Sequence, residues 1–346
     1  MRLGIIGTGS MACQMAEAAG RLPEITLAAV LSRQAARAEK FAGAYAPEAQ
    51  CLTDMAAFLE TVDAVYIATP PHAHPGAIEA ALMAGRAVLC EKPLTSSLAE
   101  TQHVTALARR EGTLLMEAIW TLCLPAYQAL EQRLARLGPE AARQMVFDFS
   151  YPLAAPADSH FLDPETGGVL LDRAVYGYAA ARQFLGPILS QDVFVARDAR
   201  GLDRRADIRL THAGGGTALL ALSFDYLGAN RLDLATTEGM ASLSPSLGAE
   251  ALSWKSFSGP SPAPEPAPSG LKARLKAQPF LRRLSRQKQQ LGFEFHSYGA
   301  SLYAPVLQEF YTSWAAGQAE NPRLSFALSE EIAALVEAAR QEGRGT

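Results

Sequence analysis

Four short apolar runs near the start of the chain, LGII, LAAVL, AVYIA and AVLC, are each followed by a segment with helical spacing: Ser10 to Gly20, Arg33 to Gly43, Ala73 to Ala84 and Ser97 to Glu111. Unbroken apolar runs, as opposed to alternating ones, mark strands covered on both faces, and parallel strands need crossovers of about a dozen residues. The pattern predicts an α/β domain with a doubly wound parallel sheet. Gly85 and Gly112 fall where helices should stop, and Thr53 is placed to cap the segment DMAAFLE. A further strand, LLMEA, closes this first unit, read as residues 1–120.

The grammar then changes. In residues 121–346 one helix, Pro125 to Leu137, leads into the strand-like RQMVFDFSY, and RADIRLTHA and TALLALSFDY flank a Gly214 to Gly216 turn. An α+β domain with a mostly antiparallel, open sheet is expected. One stretch stands apart, the Pro-rich and basic excursion at 255–290, with eight Lys/Arg against a single acid. It reads as a solvated or partner-covering surface segment, ending in a candidate amphipathic helix.

Composition excludes several classes. Against 31 Lys+Arg stand 35 Asp+Glu, a formal charge of −4, which argues against a nucleic-acid partner. No apolar run approaches the roughly 20 residues of a membrane span, and the N-terminus lacks a signal peptide's apolar core, so a cytoplasmic protein is expected. Cys13, Cys51, Cys90 and Cys123 form no CxxC pair and lack a histidine at zinc-ligand spacing, so reduced thiols and no metal are expected.

Gly7-Thr8-Gly9-Ser10-Met11-Ala12 is a GxGxxA pattern directly after the first strand and directly before an Ala-rich helix. Gly7 permits the tight turn, Gly9 clears the approach of a pyrophosphate, and Ala12 lets helix and sheet pack closely, with the Ser10 and Met11 amides at the helix start facing negative charge. A nicotinamide dinucleotide is therefore the expected cofactor. An NAD site usually ends its second strand in a carboxylate; here LAAVL ends in Ser32-Arg33, with Arg37 one helical turn on. A hydroxyl and guanidinium groups suit a 2′-phosphate, which favours NADP over NAD. Solvated charges at a helix start are the alternative role for both arginines.

Two motifs at later strand ends are more specific. Ala68-Thr69-Pro70-Pro71-His72-Ala73-His74 follows AVYI, and Glu91-Lys92-Pro93 follows AVLC. Together they resemble the glucose-fructose oxidoreductase / inositol dehydrogenase / MocA family. The resemblance continues through Met116 to Thr121, which is similar to the segment in dimeric dihydrodiol and sugar dehydrogenases. It extends to Gly167-Gly168 and the D-x-x-x-Y motif Asp172 to Tyr176.

The resemblance implies an oxidoreductase that moves hydride between nicotinamide C4 and the hydroxyl or carbonyl carbon of a sugar, polyol or cyclic diol. Lys92, Asp172 and Tyr176 would meet at the reacting oxygen; spacing i, i+4 puts the last two on one helix face. A nearby ammonium is expected to draw the Tyr176 pKa down toward a useful acid/base range. Thr69, Pro70, His74 and Glu91 would border the cofactor, His74 through a structural hydrogen bond. Trp120 and His160 would border the substrate. The chain departs from its likenesses at Leu122, Pro71 and His160, where relatives often carry Arg, Asn and Arg respectively, which points to a more apolar or smaller ligand. An open sheet face of this shape implies a homodimer or homotetramer. A catalytically weak, NADP-sensing regulatory or partner-binding protein is the alternative, kept open by the 255–290 excursion.

Overall fold

The computed structural model describes residues 1–138, 140–156, 159–256 and 291–342. The first sheet is built from β1 (Arg2–Ile6), β2 (Thr26–Leu31), β3 (Gln50–Leu52), β4 (Ala64–Ile67), β5 (Ala87–Cys90) and β6 (Leu115–Glu117). Its order is β3-β2-β1-β4-β5-β6, and every pair is parallel. Crossover helices α1 (Ser10–Ala19), α2 (Ala35–Tyr45), α3 (Met55–Thr61), α4 (His74–Met83) and α5 (Leu98–Glu111) cover both faces. Burial on both sides explains the unbroken apolar runs: all four residues of β4 and of β5 are buried. Because the strands are parallel, the loops after β1, β2, β4, β5 and β6 open on one edge, and the order of strand addition switches sides between β1 and β4.

Local signals set the helix limits. Ser97 Oγ accepts from Glu100 N at 3.3 Å while Glu100 reaches back to Ser96 N at 3.2 Å, a reciprocal cap. Gly112 ends α5 in the left-handed region. The expectation for Thr53 is corrected: Asp54 caps α3, accepting from Ala57 N at 2.8 Å, since a carboxylate one residue later reaches the orphan amide directly. β3 has no counterpart in the sequence pattern; three residues with only partial burial carry too little of it.

The second part of the chain holds α6 (Pro125–Leu137), β7 (Ala142–Ser150), α7 (Val175–Leu185), β8 (Ile188–Arg197), β9 (Asp203–His212), β10 (Thr217–Ser223), β11 (Leu232–Thr236), β12 (Gly239–Leu243), β13 (Ala251–Ser256) and β14 (Leu291–Phe295). The sheet runs β14-β13-β12-β11-β7-β10-β9-β8, antiparallel except where β7 pairs with β10. Its inner face packs on α6 and α7. From residue 257 to 290 the basic, Pro-rich stretch lies outside the described residues. Finally α8 (Ala304–Ala315) packs on α1, and α9 (Phe326–Glu342) packs on both α5 and α7, tying the two sheets together. Among the described residues no helix is long and apolar enough to cross a membrane.

Candidate active site

A cleft of about 1360 Å³ lies along the loop edge of the first sheet and under the start of α7. In its first half Gly7 has φ +106°, and a Cβ there would press on Ala68 O, so glycine is required. Gly9 opens α1 without a side-chain cap, and a Cβ added to it would meet nothing within 4 Å. The first amides of α1, including those of Ser10 and Met11, therefore lack intrahelical acceptors and border open space. Thr69 Oγ1 is buried in the same wall with no partner. A bare glycine cradle, a helix start and an orphaned hydroxyl fit the pyrophosphate of a dinucleotide.

Ser32, Arg33 and Arg37 line one end of this half, and Pro70 and Glu91 line its floor. Arg33 and Arg37 are exposed, and neither is paired with a carboxylate among the described residues. His74 is fully buried: its Nε2 faces Thr69 O at 2.8 Å, and its Nδ1 faces Pro93 O and Leu94 O at 3.1 Å. Burial pulls its pKa below the ordinary histidine value. It staples the loop after β4 to the loop after β5.

At the junction of the two sheets Lys92 Nζ donates to Asp172 Oδ1 at 2.7 Å and to the Asp172 carbonyl oxygen at 2.6 Å. Asp172 sits in one π-helical turn, Leu170–Ala174, that feeds α7. This turn departs from the regular i, i+4 spacing expected, yet Tyr176 still borders the same space: Lys92 Nζ lies 4.8 Å from its ring centroid. Trp120 Nε1 donates to the Tyr176 hydroxyl at 2.9 Å. The expected drop in the Tyr176 pKa is corrected, because burial pushes it well above the ordinary value and the Glu91 and Asp172 carboxylates add to the rise. Lys92 is engaged by Asp172, and its ammonium lies over the ring rather than at the hydroxyl. Tyr176 is a neutral phenol with its proton free for a further acceptor.

The far half of the cleft is rich in aromatic side chains. Trp120 packs edge-on against Tyr176 and Tyr303, and His160 stacks on Phe161 at 4.0 Å between centroids. His160 also lines the cleft, its pKa lowered by burial. Three contributors escape a reading of the sequence. Tyr303 arrives from the C-terminal segment and gives no signal there. Tyr66, buried in β4, donates a short hydrogen bond to Glu91, a link invisible in sequence. Arg173, 1% exposed, is enclosed by Phe149, Tyr151 and Phe224 and lies 3.8 Å from Asp172 Oδ2. A charge inside the apolar run LLDRAVYGY is the available clue. Among the described residues no cluster of His, Cys, Asp and Glu could hold a metal.

Residues 1–119 match the oxidoreductase family with an NAD-binding Rossmann fold, and residues 132–242 match the GFO/IDH/MocA C-terminal domain. Fold and site thus define a nicotinamide-dinucleotide oxidoreductase of two parts. The chain belongs to the glucose-fructose oxidoreductase / inositol dehydrogenase / MocA family. It is 32% identical over 246 residues to a dTDP-3,4-didehydro-2,6-dideoxy-alpha-D-glucose 3-reductase of Streptomyces antibioticus, covering 69% of this chain and 74% of that one. To a trans-1,2-dihydrobenzene-1,2-diol dehydrogenase of Oryctolagus cuniculus it is 31% identical, covering 69% and 74%. The fold also matches a 3-ketoreductase from Actinomadura kijaniata solved with NADP and TDP-benzene, with TM-score 0.79 and 24% identity, covering 99% and 97%.

Proposed function

We propose that the chain is an NADP-dependent oxidoreductase acting on the hydroxyl or carbonyl carbon of a sugar, polyol or cyclic diol. The observation that carries this reading is the convergence of Lys92, Asp172 and Tyr176 at the junction between the glycine cradle and the aromatic half of one cleft. Bound NADP(H) would supply or accept the hydride. The Tyr176 phenol, its oxygen already accepting from Trp120, directs its own proton to a substrate oxygen. The Lys92 ammonium stabilises negative charge developing on that oxygen. Asp172 fixes the lysine's direction through two acceptors, which narrows the geometry in which both groups reach one atom.

Ser32 with the uncommitted Arg33 and Arg37 supports NADP over NAD. Trp120, Phe149, Tyr151, Phe161 and Tyr303 around the far half support a ring with an apolar face. By strand register, Phe194, Leu219, Val146, Met240, Phe293 and Phe295 share the outer face of the second sheet, all exposed, which supports a homodimer or homotetramer. The four cysteines are free thiols, in accord with a cytoplasmic setting.

The test is a fluorescence titration with NADPH and NADH, followed by turnover against sugars, polyols and cyclic diols. Tighter NADPH binding with turnover of any of them is the expected result. Absence of dinucleotide binding overturns the reading.

A further inference from the structure

The loop that presents Lys92 is fastened on both sides. His74 faces the Pro93 and Leu94 carbonyl oxygens from one side. On the other lies a second cavity of about 370 Å³, between residues 93–97, Leu171 and Val175 at the start of α7, and α9. Glu117, the last residue of β6 and 3% exposed, forms part of its wall. Its Oε1 accepts from Leu94 N at 2.9 Å, and Ser329 of α9 hydrogen-bonds the same carboxylate. Pro93 has no N–H, so the Leu94 amide is the first backbone donor after Lys92 by which the loop can be held.

We propose that Glu117 is a positioning residue: by holding the Leu94 amide from behind the loop, its carboxylate sets where Lys92 presents its ammonium in the cleft. The proposal rests on Lys92 acting at the substrate oxygen. An ionised acceptor makes a stronger bond than a neutral one, so the hold on Leu94 is tighter when Glu117 is charged. Burial, the main cause, raises the Glu117 pKa to about 7, which puts this change of grip in the working range of most enzymes. The charged or titratable groups facing it are Cys90, Glu91 and Lys92 from β5 and its loop, Glu165 from the segment before α7, and Glu337 and Arg340 from α9. Of these, Lys92 favours the ionised form and Glu91 opposes it.

The experiment compares the full chain with Glu117→Gln and Glu117→Leu. In wild type, kcat should rise as pH climbs from about 6 to 8 with little change in KM. Glu117→Gln, which keeps an acceptor but cannot titrate, should lose that rise while binding NADPH within about twofold of wild type. Glu117→Leu should lower kcat at least tenfold at every pH. A second readout needs no turnover: the Leu94 amide and Lys92 13Cε resonances should both shift with a midpoint near pH 7 in wild type and stay flat in Glu117→Gln. If wild type turns nothing over, the proposed function falls and these two resonances alone decide on Glu117. A wild-type pH profile in Glu117→Gln, or a Lys92 resonance indifferent to the substitution, overturns the proposal, whether or not Glu117→Leu folds.

Discussion

Lys92 Nζ is bound twice by Asp172, through Oδ1 at 2.7 Å and through the backbone oxygen at 2.6 Å, so the ion pair is also a joint between the first sheet's loop and the start of α7. The pair is largely buried, with the side chains 11% and 17% exposed, and neither partner is expendable. Lys92→Met should lower kcat by about 10²-fold or more, as expected for a group acting on charge in the transition state. Asp172→Asn should do less, because its amide oxygen and the carbonyl still orient the lysine. Steady-state kinetics with NADPH affinity measured separately check this; equal losses in the two variants would place Asp172 at the substrate itself.

Tyr176 and Trp120 make a second prediction. Tyr176→Phe removes the proton while leaving the aromatic packing, so kcat should fall by about 10² to 10⁴ with NADPH binding preserved. Trp120→Phe keeps an aromatic ring but removes the donor to the Tyr176 hydroxyl, and a smaller loss in kcat is expected. Since the Tyr176 pKa is raised by burial first and then by Glu91 and Asp172, its titration should impose no alkaline limb on kcat below about pH 10. A limb near neutrality that disappears in Tyr176→Phe would contradict this.

Cofactor choice is the third. The double change Ser32→Asp, Arg33→Ala places a carboxylate where a 2′-phosphate would sit and removes a guanidinium. The ratio of kcat/KM for NADPH over NADH should fall at least tenfold. An unchanged ratio would leave Arg33 and Arg37 as solvated charges.

Much of the fold and site is legible in sequence for one physical reason: a local pattern suffices where a motif and its chemistry share one loop. Gly7, Thr69 and Lys92 each follow a strand that the apolar runs locate, while Asp172 and Tyr176 are placed by the family resemblance of their motif. The contributors that stay hidden are those whose partners are distant in the chain. Glu117 closes on Leu94 across two strands, Tyr303 reaches Trp120 from the C-terminal segment, and Arg173 is enclosed by rings from β7, its following residue and the end of β10. The Tyr176 pKa departs from expectation because sequence shows the neighbouring charge and not the burial. At 6% exposure, desolvation outweighs a lysine already paired with Asp172.

Gly168 gives a stability prediction. It has φ +94°, and an added Cβ would run into the carboxylate of Asp203, which is fully buried and accepts from Leu170 N at 2.8 Å. That contact anchors the turn carrying Asp172. Gly168→Ala combines backbone strain with a clash against a group that cannot leave, and should destabilise by about 2–4 kcal/mol. Denaturant unfolding checks this; a loss under about 1 kcal/mol would mean that the turn shifts freely and Asp172 is not fixed from this side.

Glu117 carries the opposite balance, stability set against position. Its pKa rises from 4.5 to about 7 on folding, chiefly through burial. Below about pH 4.5 the group is protonated in both states and exacts no penalty. As pH climbs, the unfolded chain loses the proton first, so stability falls until the folded-state value is passed and then levels off. Each tenfold difference in proton affinity between the two states is worth about 1.4 kcal/mol, which makes the full penalty of order 3 kcal/mol. Glu117→Gln, which cannot ionise, should therefore gain on wild type in thermal midpoint between pH 5 and pH 8, with most of the gain in place by pH 7. A difference between the two proteins that does not vary with pH would mean that Glu117 keeps an ordinary carboxylate pKa, and the hold on Leu94 would then be constant across the neutral range.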